Sequence, residues 1–330
     1  MSHLSRRSVL ALALLGGVAA AAGGCGADAA SGASDAAWTL RIGTIGSRNR
    51  LTGPVGWLHA QNKLLPLLAA AHVEKIEVYT FPNGPDLNQA LVGGKLDLAS
   101  YGDTPALVAR GAGQPTRLIA ESLVGNDAGI VTVPGGVSSL RDLNDKVIAT
   151  QTGSYIHRYL LGALADLGVK PRRIVHVYST DTEAALAKRS VDAAAVPANY
   201  AYAFQAKGYP LLELASKARP RYLGTSATVV TETTRRRHAP LIRAWQQAQT
   251  EATRQAKAGW PDYLAFNVDL GPFGADIVRR SVLREQLPDT PFTDAGLTLL
   301  KGTKDFLVGQ KLVAKDFSVD DWIAPEARQP

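Results

Sequence analysis

The sequence predicts an α/β protein of two like-built lobes facing each other across a cleft. Three observations predict it. From Thr39 onward, strand-like runs alternate with helix-like stretches, the pattern of largely parallel sheets with helices on both faces. Residues 90–105 (ALVGGKLDLASYGDTP) are echoed without a gap by residues 185–200 (ALAKRSVDAAAVPANY), a weak internal repeat. Helix starts built from Gly, Thr, Ser and Pro stand just beyond strand ends, where open α/β sheets bind ligands.

Residues 39–44 (TLRIGT) read as the first strand. Residues 54–68 read as a helix whose apolar residues include Val55, Leu58, Leu64 and Leu68. A strand at 73–80 leads into Asn83-Gly84-Pro85 and a helix ending near Gly93. The next stretch, 95–109 (KLDLASYGDTPALVA), organises the rest. It reads as a buried strand at 96–100, a turn at Gly102-Asp103, and a helix with Thr104 as N-cap. Pro105 then takes the first helical position, where a missing N–H costs nothing. Strands at 117–122 and 129–133 follow.

A second unit begins near Leu140. It comprises a strand at 147–150, a helix at 155–167 opened by Gly153-Ser154 and stopped by Gly168, a strand at 174–177, a helix at 182–187 and a strand at 191–196. Residues 211–214 and 227–231 are strands, the latter crossing back to the first lobe. From Ala239 the chain reads as helical, with segments at 239–258, 260–267, 274–286 and 293–309.

The N-terminus reads as an export signal, residues 1–24: Arg6 and Arg7, then a short apolar run, then Gly23-Gly24-Cys25. The run is too short to span a bilayer comfortably. Ser5-Arg6-Arg7-Ser8-Val9-Leu10 resembles a twin-arginine signal, with Val9 where Phe is preferred. Cys25 is the chain's one cysteine, so the protein is no disulfide scaffold. Cys25 stands where a lipoprotein is acylated, although Ala22 replaces the usual Leu; the alternative is cleavage nearby and a soluble protein. Residues 25–37 read as a flexible tether. The net charge of +7, reduced by two with Arg6 and Arg7, is dispersed, and no basic stripe with interleaved aromatics suggests nucleic-acid binding. A mild positive field suits capture of small anions.

Three helix starts, at Gly84-Pro85, Thr104-Pro105 and Gly153-Ser154, carry no acidic residue at the cap or first position, so their free N–H groups are candidate anion donors. Thr180-Asp181-Thr182-Glu183 contrasts as a capping box that fills its own helix end. The candidate donors are Asn83, Thr104, Thr152, Ser154 and Asn199, with Asn126 either a turn former or a cleft donor. Tyr155, His157, Tyr200 and Tyr222 are candidate wall residues, and Arg48 and Arg221 candidate counter-charges. Each also has an ordinary reading as a cap, turn or surface residue. Catalytic signals are poor: there is no Gly-x-Ser-x-Gly, Walker loop or His-Glu-x-x-His, and the six histidines lack metal-ligand spacing.

LRIGTIG after an export signal, then FPNGPDLNQALVGGKLDLASYGDTPALVARGAG, resembles the sulfonate/taurine/nitrate substrate-binding proteins of ABC transporters. LRDLNDKVIATQTGSYIHRYLLGALADLGV and VDAAAVPANYAYA are similar to that family's second lobe. The first loop, Ile45-Gly46-Ser47-Arg48-Asn49, departs where members carry Gln or Lys. The resemblance implies a type II periplasmic-binding fold: two α/β lobes, a two-strand hinge and a ligand between them. The divisions are residues 38–133 for the first part of lobe I, 134–224 for lobe II, and 225–330 for the completion of lobe I with C-terminal helices. It implies contacts from Asn83, Gly84, Gly102, Asp103, Thr104, Asn126, Thr152, Gly153, Ser154, Tyr155, Asn199 and Tyr200. It also implies a small anionic solute, an aliphatic sulfonate or taurine-like compound, and no cofactor, metal or catalysis. The expected partners are an ABC permease with its ATPase, reached by a monomer outside the cell membrane or in the periplasm, tethered to that membrane if Cys25 is acylated. The alternatives are a thiamine-precursor-like heterocycle or nitrate on the same fold, an exported enzyme, or a sensor domain without a permease.

Overall fold

A computed structural model describes residues 36–328. The export signal and Cys25 lie outside the described residues. The strands are β1 (Trp38–Ile45), β2 (Val73–Phe81), β3 (Leu98–Gly102), β4 (Thr116–Ala120), β5 (Val124–Asn126), β6 (Ala128–Thr132), β7 (Val147–Thr150), β8 (Arg173–His176), β9 (Ala193–Pro197), β10 (Leu211–Leu214) and β11 (Gly224–Thr231). They form two sheets, ordered β2-β1-β3-β11-β4 and β10-β6-β9-β7-β8. β1 lies parallel to β2 and β3, and β7 parallel to β8 and β9. Helices cover both sheets. One apolar cluster is built on the first sheet, with Leu40, Ile42, Leu98 and Val229; two others, including Ile148 with Leu160 and Val131 with Ala194, lie on the second.

The internal repeat is structural. β3 and β9 begin at 98 and 193, and the helices after them, Asp103–Gly111 and Ala198–Ala206, begin at 103 and 198, the same shift of 95. One aspartate does the same work in each copy. Asp97 exchanges two bonds with the Arg41 backbone, its N–H donating to the Arg41 carbonyl and its carboxylate accepting the Arg41 N–H, each at 2.9 Å. Asp192 does so with Val147, both at 2.8 Å. A carboxylate at the entry of the third strand thus locks the first strand's register in both sheets.

Two passages join the sheets, one leading from β4 to β6 and one from β10 to β11. They meet where β5 pairs antiparallel with the start of β11, Asn126 opposite Gly224 and Val124 opposite Thr225. The strand expected at 129–133 in lobe I is β6, and it pairs with β9 and β10 of the second sheet. The division expected between 133 and 134 therefore falls after the crossing, since β6 from Ala128 already belongs to the second sheet. Two further local expectations fail. The helix read at 54–68 is interrupted: Gly53–Ala60 ends and Leu64–Leu67 restarts, with Asn62 between them at φ 59°. The Thr180 capping box does not form; Asp181 occupies the N-cap without a side-chain bond, and Thr182 donates its hydroxyl to the Tyr178 carbonyl instead.

Candidate functional site

A cavity of about 210 Å³ lies between the two sheets, lined by Thr52 and Gly53 on one side and Pro197, Ala198 and Asn199 on the other. Leu123, Asn126 and Asp127 close it at the crossing strands, and Tyr155, Tyr263, Asn267, Ser281, Val282 and Gln286 complete the wall. A recess of about 20 Å³ adjoins it, sharing Thr52 and reaching Thr44, Ser100, Ser122, Trp245 and Gln249.

The recess follows from sheet register. Thr44, Ser100 and Thr228 stand abreast on β1, β3 and β11 at the end nearer the crossing strands. Thr228 donates its hydroxyl to Ser100 at 3.1 Å, and the Ser122 and Ser226 hydroxyls lie 2.9 Å apart. Helix Pro240–Ala258 brings Trp245 and Gln249 against this row. Gln249 donates its amide to the Glu121 carbonyl at 2.8 Å, which leaves its buried oxygen without a partner. The buried Trp245 indole N–H also has none. Buried polar groups are nearly always paired, so the Gln249 oxygen and the Trp245 N–H are both open to a further polar partner.

Two helices open onto the cavity, one from each half. Helix Gly53–Ala60 has Thr52 as N-cap with no side-chain capping bond and no acidic residue in its first turn. Helix Ala198–Ala206, with Pro197 as N-cap, likewise has none. Each helix end favours an anion by roughly 0.3–1 kcal/mol when exposed, and up to about 2 kcal/mol when partly buried. Among the described residues, no Lys or Arg lines either space. The one carboxylate at the wall, Asp127, is engaged: it accepts the Ser216 N–H at 2.9 Å and the Ser216 hydroxyl at 2.5 Å. Burial, reinforced by Asp127 and Asp103, pushes the Tyr155 phenol well above its usual range, so Tyr155 remains a neutral donor.

Of the expected contact residues, Asn126, Tyr155 and Asn199 line this cavity together. Asn199 turns its oxygen to the Tyr200 N–H at 2.9 Å. The others are placed elsewhere. Asp103 overturns the expectation of an open start at Thr104. The helix begins at Asp103 itself after Gly102, so Pro105 is not its first residue, and the fully buried Asp103 carboxylate accepts the Thr104 hydroxyl at 2.9 Å and the Thr225 N–H at 2.9 Å. Asn83 is an ordinary cap: its oxygen accepts the Asp86 N–H at 2.8 Å and its amide donates to the Asp86 carboxylate at 2.9 Å. Gly84 lies against Pro105, too close for a β-carbon. Thr152 pairs its hydroxyl with His176 at 2.7 Å, and Ser154 caps the helix from Tyr155 while donating to the Gln151 carbonyl. Gly153 takes φ 77° beside Pro85, and Tyr200 packs edge-on against Phe273. His157 accepts the Gly153 N–H, and burial lowers its pKa. Arg221 and Tyr222 both bind Asp166, and Arg48 sits on an exposed loop.

Contacts between the two halves flank the cavity, and Asn83 takes part in one of them. Gln151 donates to the Pro82 carbonyl at 3.0 Å and Asn83 to the Tyr178 hydroxyl at 3.3 Å on one rim. On the other, the Arg280 guanidinium lies 4.0 Å from the Tyr202 ring centre and donates to Gln205. The two halves therefore touch on both sides of the cavity. Sequence reasoning missed Thr52, although Thr52-Gly53-Pro54 carries the same Gly/Thr/Pro signature used elsewhere. It had no signal for Ser100, Ser122, Trp245 or Gln249, which only tertiary packing brings together.

Gly56 seats the first of these helices. A β-carbon there would fall 2.2 Å from the Leu51 carbonyl oxygen, a backbone atom that cannot swing aside. Gly56→Ala is expected to cost about 1–3 kcal/mol of stability and to displace the Thr52 cap. Urea unfolding measures the first effect and ligand titration the second.

The NMT1/THI5-like family model matches residues 74–259. A relative in Escherichia coli (strain K12), named for the binding of aliphatic sulfonates, is 34% identical over 126 residues, which span 37% of this chain and 40% of the relative. The alkanesulfonate-binding protein SsuA from Xanthomonas axonopodis pv. citri, solved with MOPS, superposes with a TM-score of 0.71 at 22% identity over 87% of this chain and 98% of its own. The desulfurization enzyme DSZB superposes with a TM-score of 0.67 at 17% identity over 88% and 97%. The structural likeness establishes a periplasmic-binding-protein fold, and that fold hosts both binders and an enzyme.

Proposed function

Because this chain belongs to the NMT1/THI5-like family, we propose that it is an exported solute-binding protein for a small organic anion, an aliphatic sulfonate or a taurine-like compound. It hands this solute to an ABC permease and its ATPase, tethered through Cys25 if that residue is acylated. The observation that carries the reading is the meeting of two acid-free helix starts, one from each half, at a single cavity. Hydroxyl donors of the recess and the Trp245 indole N–H take the anionic head, and Leu123, Tyr263 and Val282 border space for an aliphatic body. Closure of the halves exchanges the guest's water for fixed dipoles. The lining holds no Cys, His, Lys or Arg, which favours binding over catalysis.

A second reading, a thiamine-precursor-like heterocycle, draws on Tyr155 and Tyr263 in the same wall. Calorimetry on ligand-free protein with taurine, alkanesulfonates, nitrate, sulfate and an aminopyrimidine separates the two. Heat with the sulfonates is the expected result, and silence with every anion overturns the anion reading. Asn199→Ala and Trp245→Phe are each expected to weaken sulfonate binding by about 1–3 kcal/mol, since each withdraws a donor from a desolvated guest. Unchanged affinity in both removes the cavity assignment.

A further inference from the structure

A cavity larger than the cleft lies elsewhere in the first half. A groove of about 950 Å³ lies at the other end of the first sheet, near the starts of β3 and β4, where helices Gly84–Val92 and Asp103–Gly111 end. Its apolar wall includes Leu91, Val108 and Val92, and Val92 is 71% exposed. Gln114 lines the polar end and is only 8% exposed, yet neither its amide nitrogen nor its oxygen has a partner. Its backbone is fully engaged, with its N–H donating to Ala109 and its carbonyl accepting from Thr116. The Glu232 N–H donates to the Pro115 carbonyl and so ties the short helix carrying Arg237 to the Gln114 loop.

The charges at this end do not cancel. Asp97 is held by Arg41 through paired bonds of 2.9 and 2.8 Å and by the Thr234 hydroxyl. Arg237 lines the same groove, exposed and with no ion-pair partner among the described residues. The groove therefore offers an apolar wall, one unpaired donor–acceptor set and one surplus cation.

We propose that this groove is a second ligand site that takes an amide and a carboxylate carried on an apolar residue: an N-acylated amino acid, or the C-terminal residue of a peptide. An amide supplies both the N–H and the carbonyl that Gln114 lacks, which a simple fatty acid does not. The carboxylate meets Arg237 through a charge-assisted bond, and the side chain covers Val92 and Leu91. The proposal stands independently of the cleft.

Nuclear magnetic resonance and calorimetry on the folded protein test it, with N-acetyl-leucine as the probe and N-acetyl-leucinamide and decanoate as controls. N-acetyl-leucine is expected to shift the amides of Gly94 and Gly113 but not that of Asn199, and to bind at least tenfold more tightly than either control. Gln114→Leu should abolish this binding. Arg237→Ala, at an exposed position that tolerates change, should weaken it at least fivefold. Trp245→Phe should leave it intact. A tetrapeptide ending in leucine that binds more tightly than the acetylated residue assigns the site to protein C-termini, and equal binding assigns it to the small molecule. No shift at the groove, decanoate binding as well as N-acetyl-leucine, or affinity unchanged in Arg237→Ala overturns the proposal.

Discussion

Arg158→Leu is expected to destabilise the folded protein by about 3–5 kcal/mol, because it strips a buried carboxylate of its counter-charge. Arg158 rises from helix Tyr155–Leu167 of the second half, and its side chain is 1% exposed. It donates to the Tyr222 and Leu223 carbonyls at 3.0 and 2.9 Å and lies 4.0 Å from the Asp103 carboxylate of the first half. Asp103 in turn accepts from the Thr225 N–H on the returning strand. Burial pulls the Arg158 pKa down while Asp103 holds it up, and an arginine remains cationic through any such shift. The pair thus clamps the crossing strands from both sides. The double variant Arg158→Leu with Asp103→Asn should lose less than the sum of the single variants, since the stranded charge is gone. Urea midpoints of the three variants read this directly. A loss below about 1 kcal/mol in Arg158→Leu would show that the clamp does not bear on stability.

The same pair explains where the sequence was legible and where it was not. Strand and helix periodicity, glycine stops such as Gly168 at φ 66°, and the repeat at 98 and 193 place most strands and the longest helices, but not β5 or the helix Ala198–Ala206. Those signals are local, so a single sequence carries them. The two copies of the repeat, however, end differently. Ala198 leaves its helix start free, whereas Asp103 fills its own. The sequence displayed Asp103, but its partners Arg158, Thr225 and Thr303 are remote in the chain, and only the fold reveals that the carboxylate is committed inward. Thr104, Asn83 and Ser154 do not line the cavity, for a related reason. A short polar side chain beside a helix start bonds its own backbone or nearest neighbour first. The recess residues failed the opposite way: Ser100, Ser122 and Gln249 have unremarkable neighbours in the chain and meet only through β-sheet register and helix Pro240–Ala258.

Raising the pH from 5 to 9 is expected to weaken the fold through Glu121. Its side chain is fully buried beside Gly296, where a β-carbon would fall 2.0 Å from the carboxylate oxygen. Burial pushes this carboxyl up to about 8; the Thr293 N–H opposes the rise and the Asp103 charge adds to it. Helix Asp294–Gly309 starts here, and its N-terminal field favours the anion by about 1 kcal/mol, too little against the desolvation of a buried charge. Between about 4.5 and 8 the folded state keeps a proton that the unfolded chain has released, so stability falls as pH rises through that window and stays reduced above it. The loss attributable to this one group is about 4 kcal/mol. Glu232 and Glu251, both held near 2 by arginines, act at the acid end and in the opposite sense, so the diagnostic quantity is a difference between proteins. Glu121→Gln keeps the shape without the titration. Its urea stability should match the parent within about 1 kcal/mol at pH 5 and exceed it by several at pH 9. Parallel pH curves for the two proteins would mean that Glu121 stays ionised in the fold, with its burial offset by contacts stronger than the Thr293 N–H.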